Sequence, residues 1–144
     1  MEVKNKKAYF DYSIEKELEA GLVLKGTEIK SIRKGSSDLK DSYVKIKNGE
    51  AFIINMYIAK YEEGNRFNHE ERATRKLLLH KKEIIRLGEE SNKDGYTIIP
   101  LKLYIKGRYA KLLIGTARGK HLYDKRRVLK EKDLEKEAKR NNEY

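Results

Sequence analysis

The run Ile14-Glu15-Lys16-Glu17-Leu18-Glu19-Ala20-Gly21-Leu22-Val23-Leu24 decides how this chain folds. Its even positions are Ile14, Lys16, Leu18, Ala20, Leu22 and Leu24, and its odd positions open with Glu15, Glu17 and Glu19. A period of two is the pattern of a strand with one buried face. Ile14, Leu18 and Leu22 also fit a helical spacing of four, but only the strand explains the glutamates as well as the apolar residues. The strand is therefore preferred.

Working outward, Gly26 breaks the alternation. Thr27 is then placed to cap a short helix, with Glu28 in its first turn, Ile29 and Ile32 towards a core, and Gly35 as the stop. Tyr43 to Lys47 alternates again, and Asn48-Gly49 is a type I′ turn signal leading into Glu50 to Ala59, a hairpin. Residues 60–75 are polar and read as a long basic loop carrying Arg66, Arg72 and Arg75. Lys81 to Leu87 reads as a helix ending near Gly88. Tyr96 to Ile105 and Tyr109 to Ala117 form a second hairpin around Lys106-Gly107-Arg108. Pro100, the single proline, predicts that its strand lies at a sheet edge there. Residues 1–8 read as a loose basic arm.

These elements predict a mainly β fold, an OB-like antiparallel β-barrel with two or three short peripheral helices. The predicted barrel, with its N-terminal arm, takes residues 1–117. Residues 118–144 hold ten Lys or Arg against six Asp or Glu, too polar for a core of their own. They read as a basic tail, disordered alone and becoming helical on a partner.

The 144 residues suit one domain, and 34 Lys plus Arg against 23 Asp plus Glu give a net charge of +11. Such a charge draws polyanions, of which nucleic acid is the commonest. With no cysteine there is neither a disulfide nor a thiolate metal site. The start lacks the apolar run of a signal peptide, and no stretch has the length to span a bilayer, so a soluble cytoplasmic protein without membrane association is expected.

Nothing marks an enzyme. His69, His80 and His121 lack the short spacing of a zinc motif and read as solvent-facing or RNA-facing. There is no phosphate-cradling glycine loop, and Ser36, Ser37 and Ser42 have no recognisable base partner. No catalytic residue, metal or cofactor is expected. Glu15, Glu17 and Glu19 leave a metal-assisted nuclease as a third reading, behind a solvated face and behind RNA contact, in which a carboxylate accepts hydrogen bonds from base amino groups. Ten tyrosines against three Phe and no Trp favour stacking, and Tyr9, Phe10 and Tyr12 cluster beside the basic arm. Arg66, Arg72, Arg75 and Lys76, with Lys120, Lys125, Arg126 and Arg127, are candidate phosphate-binding residues.

Seven segments in order resemble the SmpB family of SsrA-binding proteins: Asn5 to Tyr9, Glu19 to Ser31, Asp41 to Tyr43, Asn48 to Phe52, Thr74 to Leu79, Pro100 to Tyr104 and Gly119 to Arg126. None is decisive singly; the ordered set is specific. The resemblance implies a non-enzymatic protein that binds the tRNA-like domain of transfer-messenger RNA (tmRNA, SsrA) and delivers it to stalled 70S ribosomes in trans-translation. It implies a tail that enters the empty messenger channel against small-subunit rRNA. Elongation factor Tu and alanyl-tRNA synthetase are the implied functional associates, and a monomer is expected. It assigns Asn5, Glu19, Leu78, Lys111, Gly119 and Lys120 to RNA binding, and Tyr123, Asp124, Lys125 and Arg126 to the tail's work at the decoding centre. Read on its own, Leu78, inside Leu77-Leu78-Leu79, looks like core. Where many relatives have a second lysine, this chain has His121. The competing class is a general OB-type single-stranded RNA-binding or translation factor.

Overall fold

The computed structural model describes residues 2–119. In chain order the elements are β1 (Glu2–Lys4), α1 (Lys6–Asp11), β2 (Tyr12–Leu22), α2 (Gly26–Arg33), β3 (Ser37–Asp38), β4 (Tyr43–Lys47), β5 (Glu50–Ile54), β6 (Tyr57–Ile58), a 3-10 turn (Glu62–Phe67), β7 (Arg75–Leu78), α3 (Lys81–Ser91), β8 (Tyr96–Lys106) and β9 (Tyr109–Gly119). The deciding run is a strand, as its alternation predicts. Glu15, Glu17 and Glu19 are exposed, while Leu18, Ala20 and Leu22 pack on the core.

The main sheet closes on itself. β9 pairs with β2, β2 with β7, β7 with β5, β5 with β4, β4 with β8, and β8 again with β9, every pair antiparallel. Closure gives each of these strands a neighbour on both sides, although β4 meets β8 only at the pair Val44–Ile98; a closed sheet offers little edge for pairing with other chains. β1 adds to β8 outside the ring, and β3 and β6 form a separate ribbon. Inside the ring lie Ile53, Leu77, Ile98, Leu103, Leu112 and Ile114, all fully buried. Leu87 and Ile84 of α3 and Ile32 of α2 complete this core.

Two bulges shape the barrel. In β2 the register slips between Ile14 and Lys16, and in β8 between Pro100 and Lys102. A bulge bends its strand and reverses which face later side chains take. Ile14 and Leu101 therefore leave the barrel interior. With Ala8, Ile99 and Ala117 they build a second, smaller core under α1.

Several elements differ from what the sequence pattern predicts. The start of the chain is not a loose arm: it forms β1 on β8, and Asn5 caps α1. Pro100 is not in an edge strand, because β8 has β9 on one side and β4 and β1 on the other. The proline sits at the bulge, between the pairing of Ile98 with Val44 and that of Lys102 with Lys4, so its missing N–H breaks no ladder. Thr27 does not cap α2; Lys25 holds that position, and Glu28 reaches back to accept from the Lys25 N–H at 2.7 Å. α3 passes through Gly88 to Ser91, with Ile46 packed alongside the glycine. The Asn48-Gly49 turn is as predicted, with φ of 53° and 76°, but the second arm ends at Ile54 rather than Ala59, and Tyr57–Ile58 pair instead with Ser37–Asp38.

Candidate nucleic-acid interface

The outer face of the barrel is built by register. Across β2, β9 and β8, Glu19 stands opposite Leu113, and Leu113 opposite Lys102. Two residues along, Gly21 stands opposite Lys111, and Lys111 opposite Tyr104. On the far side of β2, Gly21 pairs with Leu78 of β7. Residues opposite one another, and those two apart along a strand, share a face. Glu17, Glu19, Leu78, Lys102, Tyr104, Lys106, Tyr109 and Lys111 therefore lie on one outward surface, extended by Glu2 and Lys4 of β1.

The structure thus brings together three residues that the sequence scatters: Glu19, Leu78 and Lys111. Leu78 is 55% exposed, so its reading as core is overturned; Leu77, one position away, takes the core at 1%. Leu78 faces outward by the alternation of β7, and Gly21 opposite leaves it room: a Cβ there would meet Leu78 Cβ at 3.3 Å. Lys111 has no ion pair among the described residues, whereas Lys102 reaches Glu2 at 3.5 Å and Lys76 reaches Glu50 at 2.7 Å.

The acidic run is not a bare solvated face. Each of its glutamates accepts a hydrogen bond from a tyrosine: Glu15 from Tyr96 at 2.9 Å, Glu17 from Tyr9, and Glu19 from Tyr104. The Tyr104 hydrogen bond, aided by the positive charges of Lys106 and Lys111, holds the Glu19 carboxyl below the usual carboxylate range. Partial burial and the Glu19 carboxylate push the Tyr104 phenol up to about 12. Tyr9 shifts upward for the same two reasons, burial first and Glu17 second. Among the described residues no three His, Asp or Glu gather as a metal site, and the three glutamates are each tied to a different tyrosine.

Asn5 does structural duty. Its Oδ1 accepts from Ala8 N at 3.3 Å, its Nδ2 donates to Pro100 O at 2.9 Å, and its backbone N donates to Leu101 O. It lines a separate polar cleft of about 370 Å³ with Lys7, Asp11, Lys40, Asp41 and Thr97. Gly119 ends β9 opposite Tyr12; a Cβ there would meet nothing within 4 Å, so no internal contact demands glycine. Lys120, Tyr123, Asp124, Lys125 and Arg126, with Arg127 and His121, lie outside the described residues.

The loop after β6 departs most from expectation. Arg75 is buried rather than offered to phosphate: Nε donates to Glu28 Oε2 at 2.5 Å, and its other nitrogens donate to the carbonyls of Met56, Glu70 and Glu71. Arg72 donates to Asn55 O and stacks over Tyr57. His69 is 2% exposed, neither solvent-facing nor RNA-facing. Its Nε2 donates to Ile58 O at 3.0 Å, which leaves Nδ1 to accept from the Thr27 hydroxyl at 2.8 Å. His69, Arg72 and Arg75 are thus pinned from within rather than forming a free basic surface, while the side chain of Arg66 lies outside the described part of the structure. His80, by contrast, is exposed at the start of α3.

Lys102, Lys106 and Tyr104 belong to the outer face but were missed by sequence reasoning. Their alternation in β8 is visible, yet the Pro100 bulge reverses its phase, so counting from Ile98 assigns the wrong side.

A closed antiparallel barrel with lysines, an exposed leucine and an ionised glutamate on one outer face has the architecture of a nucleic-acid-binding protein. The family model described as SmpB protein matches residues 2–144. SsrA-binding proteins of Staphylococcus aureus, strains Newman and MRSA252, are each 59% identical over 137 residues, covering 95% of this chain and 89% of theirs. A chain from the structure of tmRNA-SmpB at the center of the bacterial ribosome superposes with a TM-score of 0.72 and 46% identity, over 84% of this chain and 85% of that one. The chain belongs to the SmpB family.

Proposed function

We propose that this protein is a non-enzymatic RNA-binding factor that holds the tRNA-like domain of tmRNA and brings it to stalled ribosomes in trans-translation. The observation that carries this reading is the convergence of Glu19, Leu78 and Lys111 on one outer face. Lysines there offer positive charge to phosphates, Leu78 offers an apolar contact, and Glu19 offers an acceptor that base edges can meet. Membership of the SmpB family supports the same reading. We further assign the tail, residues 118–144, to the ribosome through Tyr123, Asp124, Lys125 and Arg126, keep Gly119 and Lys120 at its start as tmRNA contacts, and place the protein in the cytoplasm as a monomer. Elongation factor Tu and alanyl-tRNA synthetase are then functional associates, since delivery and charging need chemistry that this face does not offer. No helix among the described residues is long and apolar enough to cross a membrane.

The division of labour is tested by cutting the chain after Lys120. The shortened protein should bind the tRNA-like domain nearly as well as the full chain and fail to support peptide tagging on stalled ribosomes. Loss of RNA affinity on truncation would overturn the split between body and tail.

A further inference from the structure

Glu19 is an unusual residue on a face meant for RNA, because it repels phosphate. Its surroundings favour the charged form and aim it. The Tyr104 hydroxyl donates to Oε2, and Lys106 Nζ lies 3.9 Å from Oε1, close enough for attraction but too far for a hydrogen bond. Tyr104 stands directly across from Lys111, and Glu19 from Leu113, so the phenol crosses β9 to reach the carboxylate. A carboxylate oxygen carries two acceptor sites. With one taken by Tyr104, Glu19 keeps free lone pairs on both oxygens, and its side chain is held in one orientation.

We propose, building on the RNA-binding reading above, that Tyr104 is a positioning residue which fixes Glu19 as a two-oxygen acceptor for the Watson–Crick edge of an unpaired guanine. Guanine is the base that presents two adjacent N–H donors, N1–H and the 2-amino group, along one edge, and these match the two oxygens of a carboxylate. The other bases offer one donor nitrogen on that edge. Unpaired bases are what proteins read in folded RNA, because the helical grooves hide base edges. Lys111 and Lys102 flank the site and take the neighbouring phosphates. Tyr109, 65% exposed on the same face, leaves a ring free for stacking.

Tyr104→Phe removes the hydroxyl and keeps the ring. Its affinity for the tRNA-like domain should fall roughly tenfold, the effect of a lost charge-assisted hydrogen bond, with no change in the slope of log affinity against log salt. Glu19→Gln should fall at least as far, and the double variant no further than Glu19→Gln alone, because the phenol acts through the carboxylate. Replacing the RNA's unpaired guanines one at a time by inosine, which lacks the 2-amino group, should reveal one position where wild-type protein loses affinity and Glu19→Gln does not. Additive losses in the double variant, unchanged binding by Tyr104→Phe, or no such guanine would each overturn the proposal. The RNA-binding reading itself would survive these results; it fails separately if the wild-type protein does not prefer tmRNA.

Discussion

The guanidinium of Arg75 and the carboxylate of Glu28 meet at 2.5 Å with only 3% and 4% of their side chains exposed. The pair joins the first turn of α2 to β7, and the remaining arginine nitrogens secure Met56, Glu70 and Glu71. Glu28 uses its other oxygen to close the turn at Lys25. One ion pair thus locks the loop after β6 against the barrel.

Removing one member leaves the other charged and buried. Arg75→Met should destabilise the fold by about 3–5 kcal/mol, read from urea unfolding. Pairing it with Glu28→Leu should recover part of that loss, because the stranded carboxylate is gone.

Leu77 and Leu78 separate stability from binding. Leu77→Ala opens the core and should lose about 2–5 kcal/mol. Leu78→Ala removes an exposed side chain, so stability should stay within about 0.5 kcal/mol while affinity for the tRNA-like domain drops. Equal destabilisation by the two would contradict the placement of Leu78 on the outer face.

Much of this was legible beforehand. Alternation from Ile14 to Leu24 revealed β2 and its outward glutamates, and Asn48-Gly49 revealed a hairpin. Misreadings share one cause: local patterns do not show tertiary partners. Arg75, His69 and Thr27 look like surface residues until Glu28 and Ile58 come within reach across the fold. β1 is three residues long and exists only because β8 is there to pair with it. The bulges at Glu15 and Leu101 change the facing of everything beyond them, and no periodicity announces that. The gathering of Glu19, Leu78 and Lys111 is likewise a product of register, which single strands do not encode.

Gly115 tests the packing between β9 and β2. A Cβ there would meet Leu101 Cδ1 at 2.9 Å, the Lys16 carbonyl oxygen at 3.0 Å and Ile14 Cγ2 at 3.1 Å. Backbone cannot give way as a side-chain end can, so Gly115→Ala should destabilise by about 1–3 kcal/mol, seen as a lower thermal midpoint.

Tyr104 carries a pH signature. Its folded-state value is raised from 10.0 to about 12, so the proton is held more tightly in the folded protein than in the unfolded chain. The associated stability is complete below pH 10 and is lost as pH rises towards 12. Ultraviolet titration of tyrosinate should show a late step that Tyr104→Phe abolishes and Glu19→Gln moves towards lower pH. Glu19, shifted the opposite way, contributes above the unfolded carboxylate range and loses that contribution as pH falls through its lowered value.

The measurement to make first is binding of the full chain to labelled tRNA-like domain of tmRNA against excess bulk tRNA, at about physiological salt. Retained binding, lost in Glu19→Gln, is the predicted result: the outer face reads a feature of that RNA. Equal competition by tRNA would mean that the +11 charge acts generically, and the proposed role in ribosome rescue would fall.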